Sequence, residues 1–112
     1  MSEITKVVKP WGYEEIWAHT DKYVGKLLHI KKGSRLSLQY HEIKEETIYV
    51  LEGMLTLLTD KDRFNLPPGS VYHIPPGSMH RFTASSEDVT LIEVSTPELE
   101  DVVRVEDDHG RV

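Results

Sequence analysis

No cysteine occurs anywhere in the chain, so neither a disulfide framework nor a thiolate metal site is open to it. Small secreted domains usually rely on such bridges, and a cytoplasmic location is the expectation. Long apolar runs are absent too, and no stretch approaches the length that crosses a bilayer. Met1 to Lys6 lack the basic-then-apolar order of a secretory signal. Positive charge is in short supply: the formal net charge is −6, which repels polyanions and argues against nucleic acid as a partner. Lys22, Lys26, Lys31 and Lys32 are sparse and spread over an expected hairpin, where a solvated face is the natural reading. A sustained helical period is the last thing missing. Membrane, nucleic-acid and disulfide-scaffold classes are thereby set aside.

What remains is a chain of 112 residues with 38% hydrophobic content, enough for one domain, residues 1–112, with one modest core. Strand-like segments follow one another between turns. Glu14–Ala18, Val24–Lys31, Leu36–His41, Thr47–Leu51, Met54–Thr59, Ser70–Ile74, Met79–Thr83 and Val89–Ser95 read as strands. Gly53 supplies the positive φ of a tight hairpin, and the Pro67-Pro68-Gly69 and Pro75-Pro76-Gly77 turns are stiff. This density of short strands predicts an all-β sandwich or barrel. The acidic extension, residues 97–112, contains Val102, Val103 and Val105, which suit either an edge strand or a wrapping coil.

Three groups with metal-ligand character lie close together: Gln39, His41 and Glu46. Side chains alternate across a strand, so Gln39 and His41 share a face. Glu46 opens the next strand after four residues, and His80 arrives from a third. Imidazole, carboxylate and amide oxygen suit zinc, manganese, iron(II), nickel or cobalt, and not copper(I). Each residue alone is unremarkable, and His19, His29, His73 and His109 are expected to be non-ligands. The joint pattern carries the signal. Residues 33–53, with Gly33, Gln39-Tyr40-His41, Glu46 and Gly53 in spacing, form one motif; residues 69–84, with Gly69, Pro75-Pro76-Gly77 and His80, form a second. Together they resemble the two cupin motifs, with glutamine in place of the first histidine and Ala84 in place of the closing asparagine. That resemblance implies a double-stranded β-helix, or jelly-roll barrel. Were Gln39 and His41 to face its lumen, Leu36, Leu38 and Tyr40 would point outward; a homodimer is the expected cover for them, with the N-terminal strands or the acidic extension of the same chain as the alternative.

The likeness extends further. Lys9-Pro10-Trp11-Gly12, Leu36 to His41, Ile74 to Gly77 with His80-Arg81, Leu91 to Val94 and Arg104 to Arg111 resemble the cupin domain of type II phosphomannose isomerases. The resemblance implies a metal-dependent aldose–ketose isomerase acting on a sugar phosphate of the mannose 6-phosphate type. It also implies Gln39, His41, Glu46 and His80 as the ligand set and zinc as the ion. Lys44, Thr47 and Ile48 stand where that family carries arginine, histidine and tryptophan.

An isomerase needs a general base beside its metal. Glu93, a carboxylate within the apolar run Leu91 to Val94, is the candidate, because burial would raise its pKa; a structural ion pair to Arg81 is the competing explanation. Arg35, which shares strand parity with Gln39 and His41 and so is expected to face inward, is the first candidate cation for substrate, followed by Lys44 and Arg111, while alternation turns Arg81 away from His80. Two other functions fit the motifs: a dioxygenase-type oxidoreductase, as iron or nickel cupins catalyse, and a non-catalytic sugar-binding or regulatory module.

Overall fold

Glycine and proline turns break the chain into pieces too short to pack alone, and their alternating apolar residues must be buried between two layers. The computed structural model describes residues 3–112 and satisfies this with eleven strands among them. These are β1 (Thr5–Lys9), β2 (Gly12–His19), β3 (Val24–Ile30), β4 (Leu38–Tyr40), β5 (Glu46–Glu52), β6 (Leu55–Thr59), β7 (Arg63–Leu66), β8 (Val71–Ile74), β9 (His80–Thr83), β10 (Val89–Ser95) and β11 (Val103–Glu106). One sheet runs β1-β2-β3-β10-β5-β8, and the other β11-β4-β9-β6-β7. All the pairings are antiparallel. Among the described residues no helix is long and apolar enough to cross a membrane.

The fold is the β-barrel architecture expected from the motifs, with differences at the margins. β1 and β7 are additions, made of strands too polar to announce themselves: β1 is largely exposed and β7 alternates exposed with half-buried. The acidic extension takes the edge-strand alternative, as β11 pairs with β4. The third expected strand shrinks from Leu36–His41 to Leu38–Tyr40, and its alternation does not reach residue 36. Leu36 therefore turns inward and joins the core, which removes it from the expected dimer face. Large exposed apolar side chains gather on the other sheet instead. Val71 lies opposite Tyr49 on its outer face, and Val94 shares that face.

Inside, the barrel divides into two halves. Leu28, Leu91, Val50 and Ile48 from the first sheet meet Leu55, Leu57 and Phe82 from the second in an apolar plug. Further along the same strands the inward positions become Lys26, Glu93 and Glu46, all buried. The apolar half holds the sheets together, and the polar half gathers the buried charges.

Two glycines with similar backbone differ in surroundings. Gly53 (φ 79°) and Gly33 (φ 83°) both sit in the left-handed region. A Cβ on Gly53 would stand 2.1 Å from the Asp88 carbonyl oxygen, whereas one on Gly33 meets nothing within 4 Å. Gly33→Ala should cost about 1–2 kcal/mol, the backbone penalty alone, and Gly53→Ala distinctly more in urea unfolding; equal losses would contradict this packing.

Candidate metal centre

Each donor in the polar half is placed by a local feature. Gln39, in β4, lies directly across from His80, in β9, so their side chains share a face. His41 follows β4, and its carbonyl accepts a 2.6 Å hydrogen bond from the Gly77 amide of the Pro75-Pro76-Gly77 turn. Glu46 opens β5 with an inward side chain, in line with Ile48 and Val50. The turn between them is held by Asp101, whose carboxylate accepts from the amides of Glu42, Ile43 and Lys44 at 3.1, 2.7 and 2.8 Å.

One ligating atom each from His41, Glu46 and His80 lies within 4.8 Å of the others, and all three residues are buried. His41 Nε2 and His80 Nε2 stand 3.4 and 3.2 Å from Glu46 Oε1. The far nitrogens are committed: His41 Nδ1 donates to the Asp101 carbonyl at 2.5 Å, and His80 Nδ1 to the Ser78 carbonyl at 2.9 Å. Carbonyls only accept, so the proton of each neutral ring sits on Nδ1 and the Nε2 lone pair faces inward. Both Nε2 atoms and both Glu46 oxygens are buried without a hydrogen-bond partner. Two lone pairs facing a carboxylate repel unless a cation lies between them. The donor spacings also suit ligands about 2.1 Å from one ion. The residues thus fit a divalent metal.

Charge around this point is distributed in a chain. Lys44 Nζ is buried 3.3 Å from Glu46 and 3.2 Å from Glu93. Burial alone would lower its pKa, but the charges of Glu93 and Glu46 outweigh burial and hold it above the ordinary lysine value. Burial also disfavours the Glu46 charge, yet the imidazoles of His41 and His80 and the Lys44 ammonium keep Glu46 well below the usual carboxylate range. Glu93 goes the other way. Burial, reinforced by the Glu46 charge and opposed by Lys44 and Lys26, pushes its carboxyl up to about 7.

Beside the donors lies a cavity of about 110 Å³, whose walls include Gln39, His41, Lys44, Glu93 and Arg111. The sequence-derived candidates therefore separate. His41, Glu46 and His80 converge, and Gln39 faces the same space, its Oε1 accepting from Ser37 Oγ at 2.7 Å. Glu93 is an ion-pair partner, though to Lys44 rather than Arg81; Arg81 is bonded to the Leu36 carbonyl and to Glu106. Lys44 is engaged by two carboxylates instead of standing free for substrate. Arg111 reaches the cavity while paired with Asp107 at 2.7 Å, and that pair holds Asp107 well below the usual carboxylate range. Arg35 is displaced from the site. It lies outside the short β4, so strand parity does not carry to it, and its guanidinium pairs with Asp108 at 2.6 and 2.7 Å on the surface.

Lys26 is the converse case. It is buried and pairs with Glu14 at 3.4 Å on the cavity wall, not on a solvated face. The signal was present in the spacing, since Val24, Lys26, Leu28 and Ile30 share one strand parity. Lys9, Trp11 and Arg104 also line the cavity. Their contribution depends on chain paths outside the motifs, which no local spacing announces. His29 and His73 make surface contacts with Asp88 and Glu45, away from the cluster.

Comparison with known proteins agrees with this architecture. The alginate biosynthesis protein AlgA of Pseudomonas aeruginosa is 30% identical over 110 residues, 95% of this chain and 23% of the relative. The quercetin 2,3-dioxygenase of Bacillus subtilis is 37% identical over 68 residues, 61% of this chain and 20% of the relative. This chain thus spans about a fifth to a quarter of the curated relatives it matches. The structure of KdgF from Halomonas sp. superposes with a TM-score of 0.78 at 22% identity, covering 88% of this chain and 91% of that one. The family model described as mannose-6-phosphate isomerase C-terminal matches residues 1–107. The chain belongs to the mannose-6-phosphate isomerase C-terminal family, on a cupin fold.

Proposed function

We propose that the protein is a metal-dependent aldose–ketose isomerase of sugar phosphates, of the mannose 6-phosphate type, with His41, Glu46, His80 and Gln39 holding one divalent ion, zinc first among the choices. The observation that carries this reading is the set of buried, unpartnered donors of His41, Glu46 and His80 beside a cavity that also contains Glu93. A bound divalent ion supplies Lewis acidity to neighbouring carbonyl and hydroxyl oxygens.

The chain's own groups account for the proton. Isomerisation takes a proton from the carbon next to a carbonyl and returns it to the adjacent carbon. A carboxyl with a pKa near neutrality serves both steps, since it exists in both forms at the working pH. Glu93 meets that condition, and Lys44, 3.2 Å from its Oε2, favours the ionised form that accepts the proton. Phosphate requires positive charge at the cavity wall: Arg104, whose buried Nε has no hydrogen-bond partner, is the first candidate, with Lys9 and Arg111 beside it in exchange for their pairs with Glu14 and Asp107. The apolar plug below, with Leu28 and Phe82 at the wall, limits water around the reacting carbons.

A dioxygenase-type oxidoreductase is the second reading, favoured by the 37% identity to the Bacillus subtilis quercetin 2,3-dioxygenase. The cations on the cavity wall, Arg104 above all, favour an anionic, phosphorylated substrate over an uncharged one.

Purified protein should carry one equivalent of divalent metal and convert mannose 6-phosphate in a coupled assay, with turnover lost on chelation. His41→Ala and His80→Ala should each lose the metal. Metal retained by both variants would remove the site, and no turnover with any hexose phosphate would remove the isomerase reading.

Glu93 yields a separate prediction on metal-free protein. Its folded pKa of about 7 lies above the ordinary value of 4.5, so folding favours its protonated form. The stability it contributes is fully present below about pH 4.5 and is lost as pH rises through 7. The unfolding free energy of the wild type relative to Glu93→Gln should therefore decline between pH 5 and pH 8. A pH-independent difference would contradict the raised pKa.

A further inference from the structure

The extension after β10 does more than lie along β4. Asp101 binds the turn before β5 through both its side chain and its main chain. Its carboxylate accepts from three consecutive amides, those of Glu42, Ile43 and Lys44, and its carbonyl accepts from His41 Nδ1. These four bonds all fall on the connection that carries His41, Lys44 and Glu46. Between Tyr40 and Glu46 the connection has no strand ladder: Gly77 holds its start at the His41 carbonyl, Thr96 holds its end at Glu45, and Asp101 fixes the three amides between them. The contact to Nδ1 has a chemical consequence as well. It selects the tautomer in which His41 Nε2 carries the lone pair, and without it the ring is free to rotate or to place its proton on the wrong nitrogen.

We propose that Asp101 is a positioning residue for the metal centre, and that docking of the extension and binding of the metal are thermodynamically coupled; this rests on the metal reading above. The rest of the extension is anchored independently. β11 pairs with β4, Glu106 with Arg81, and Asp108 with Arg35. Loss of the Asp101 carboxylate therefore loosens residues 42–44 of the turn while leaving its two ends, and the far end of the extension, attached. The carboxylate is matched to this work: the amides of Lys44, Ile43 and Glu42 hold Asp101 below its ordinary pKa. Because coupling is reciprocal, an ion that favours the ordered turn also fastens the extension to it.

Zinc affinity by chelator competition, together with hydrogen exchange, tests this. Asp101→Ala removes the carboxylate that binds the amides of residues 42–44 and keeps the main-chain carbonyl that faces His41 Nδ1. By loosening the turn that carries this contact it should weaken zinc about tenfold, the lower end of the scale on which partners of ligating histidines act. Asp101→Asn, which keeps one acceptor oxygen, should fall between Asp101→Ala and wild type and serves if the alanine variant is poorly folded. Asp108→Ala, which loosens only the far end, should bind zinc as wild type does. Zinc should slow amide exchange of residues 42–44 and 99–103 in the wild type and not in His41→Ala. Wild-type affinity in both Asp101 variants, or exchange of the extension unmoved by zinc, would overturn the coupling. Failure of the wild type itself to bind zinc or any other divalent metal would instead overturn the metal centre on which it rests.

Discussion

A carboxylate removed from water needs positive charge or hydrogen-bond donors close at hand, and a buried one without them is among the most costly features a fold can contain. Glu46 is buried and faces two imidazole nitrogens whose protons are held on their far sides by carbonyls. Lys44 neutralises one side of it; the other side opens toward Nε2 of His41 and His80. Much of the polar half of the barrel follows from balancing this one group. Lys44 is drawn in beside it, Glu93 is drawn in beside Lys44, and Lys26 and Glu14 extend the alternation of charge to the cavity wall.

The apolar half makes that arrangement affordable. Ile48, Val50, Leu57, Phe82 and Leu91 are essentially removed from solvent, and their burial, at roughly 25 cal/mol per Å² of apolar surface, is the driving force against which polar burial is set. The same strands serve both halves: β5 runs Glu46, Ile48, Val50 along its inner face, and β10 runs Glu93, Leu91. Position along a strand decides whether a residue supports the barrel or faces the site. The extension then closes one side, with Leu99, Val102 and Arg104 on the cavity wall. Its attachment through Asp101 ties the mouth of the cavity to the turn that carries His41 and Glu46.

Much of this was legible before any coordinates. Strand alternation gives Gln39 and His41 a common face, and their spacing to Glu46 and the Pro75-Pro76-Gly77 turn before His80 mark the other two donors; that Glu46 approaches from the opposite sheet is set by topology, which spacing does not fix. What failed did so for physical reasons. Arg35 was read as inward because strand parity was carried past the end of a three-residue strand, where the backbone no longer alternates. Lys26 looked like one of a group of surface lysines, although its parity with Leu28 and Ile30 marks it as inward. Arg81 and Glu93 both needed buried partners, but which partner each takes is decided by sheet register, which spacing alone does not fix. The Asp101 contact spans 57 to 60 residues and depends on the extension's path, so it had no local signature. Ala84, where the motif usually closes with asparagine, is buried in the core and bonds through its main chain to Gly33 and Ser34; that departure alters packing, not the donor set.

The central claim, that His41, Glu46 and His80 enclose one metal ion, is tested most directly by anomalous X-ray scattering. Crystals grown without chelator would be measured on both sides of the absorption edge of whichever divalent metal fluorescence detects. A single anomalous peak in contact with His41 Nε2, His80 Nε2 and a Glu46 oxygen is the expected result. No peak at that point, with the imidazoles protonated and bonded directly to Glu46, would contradict it.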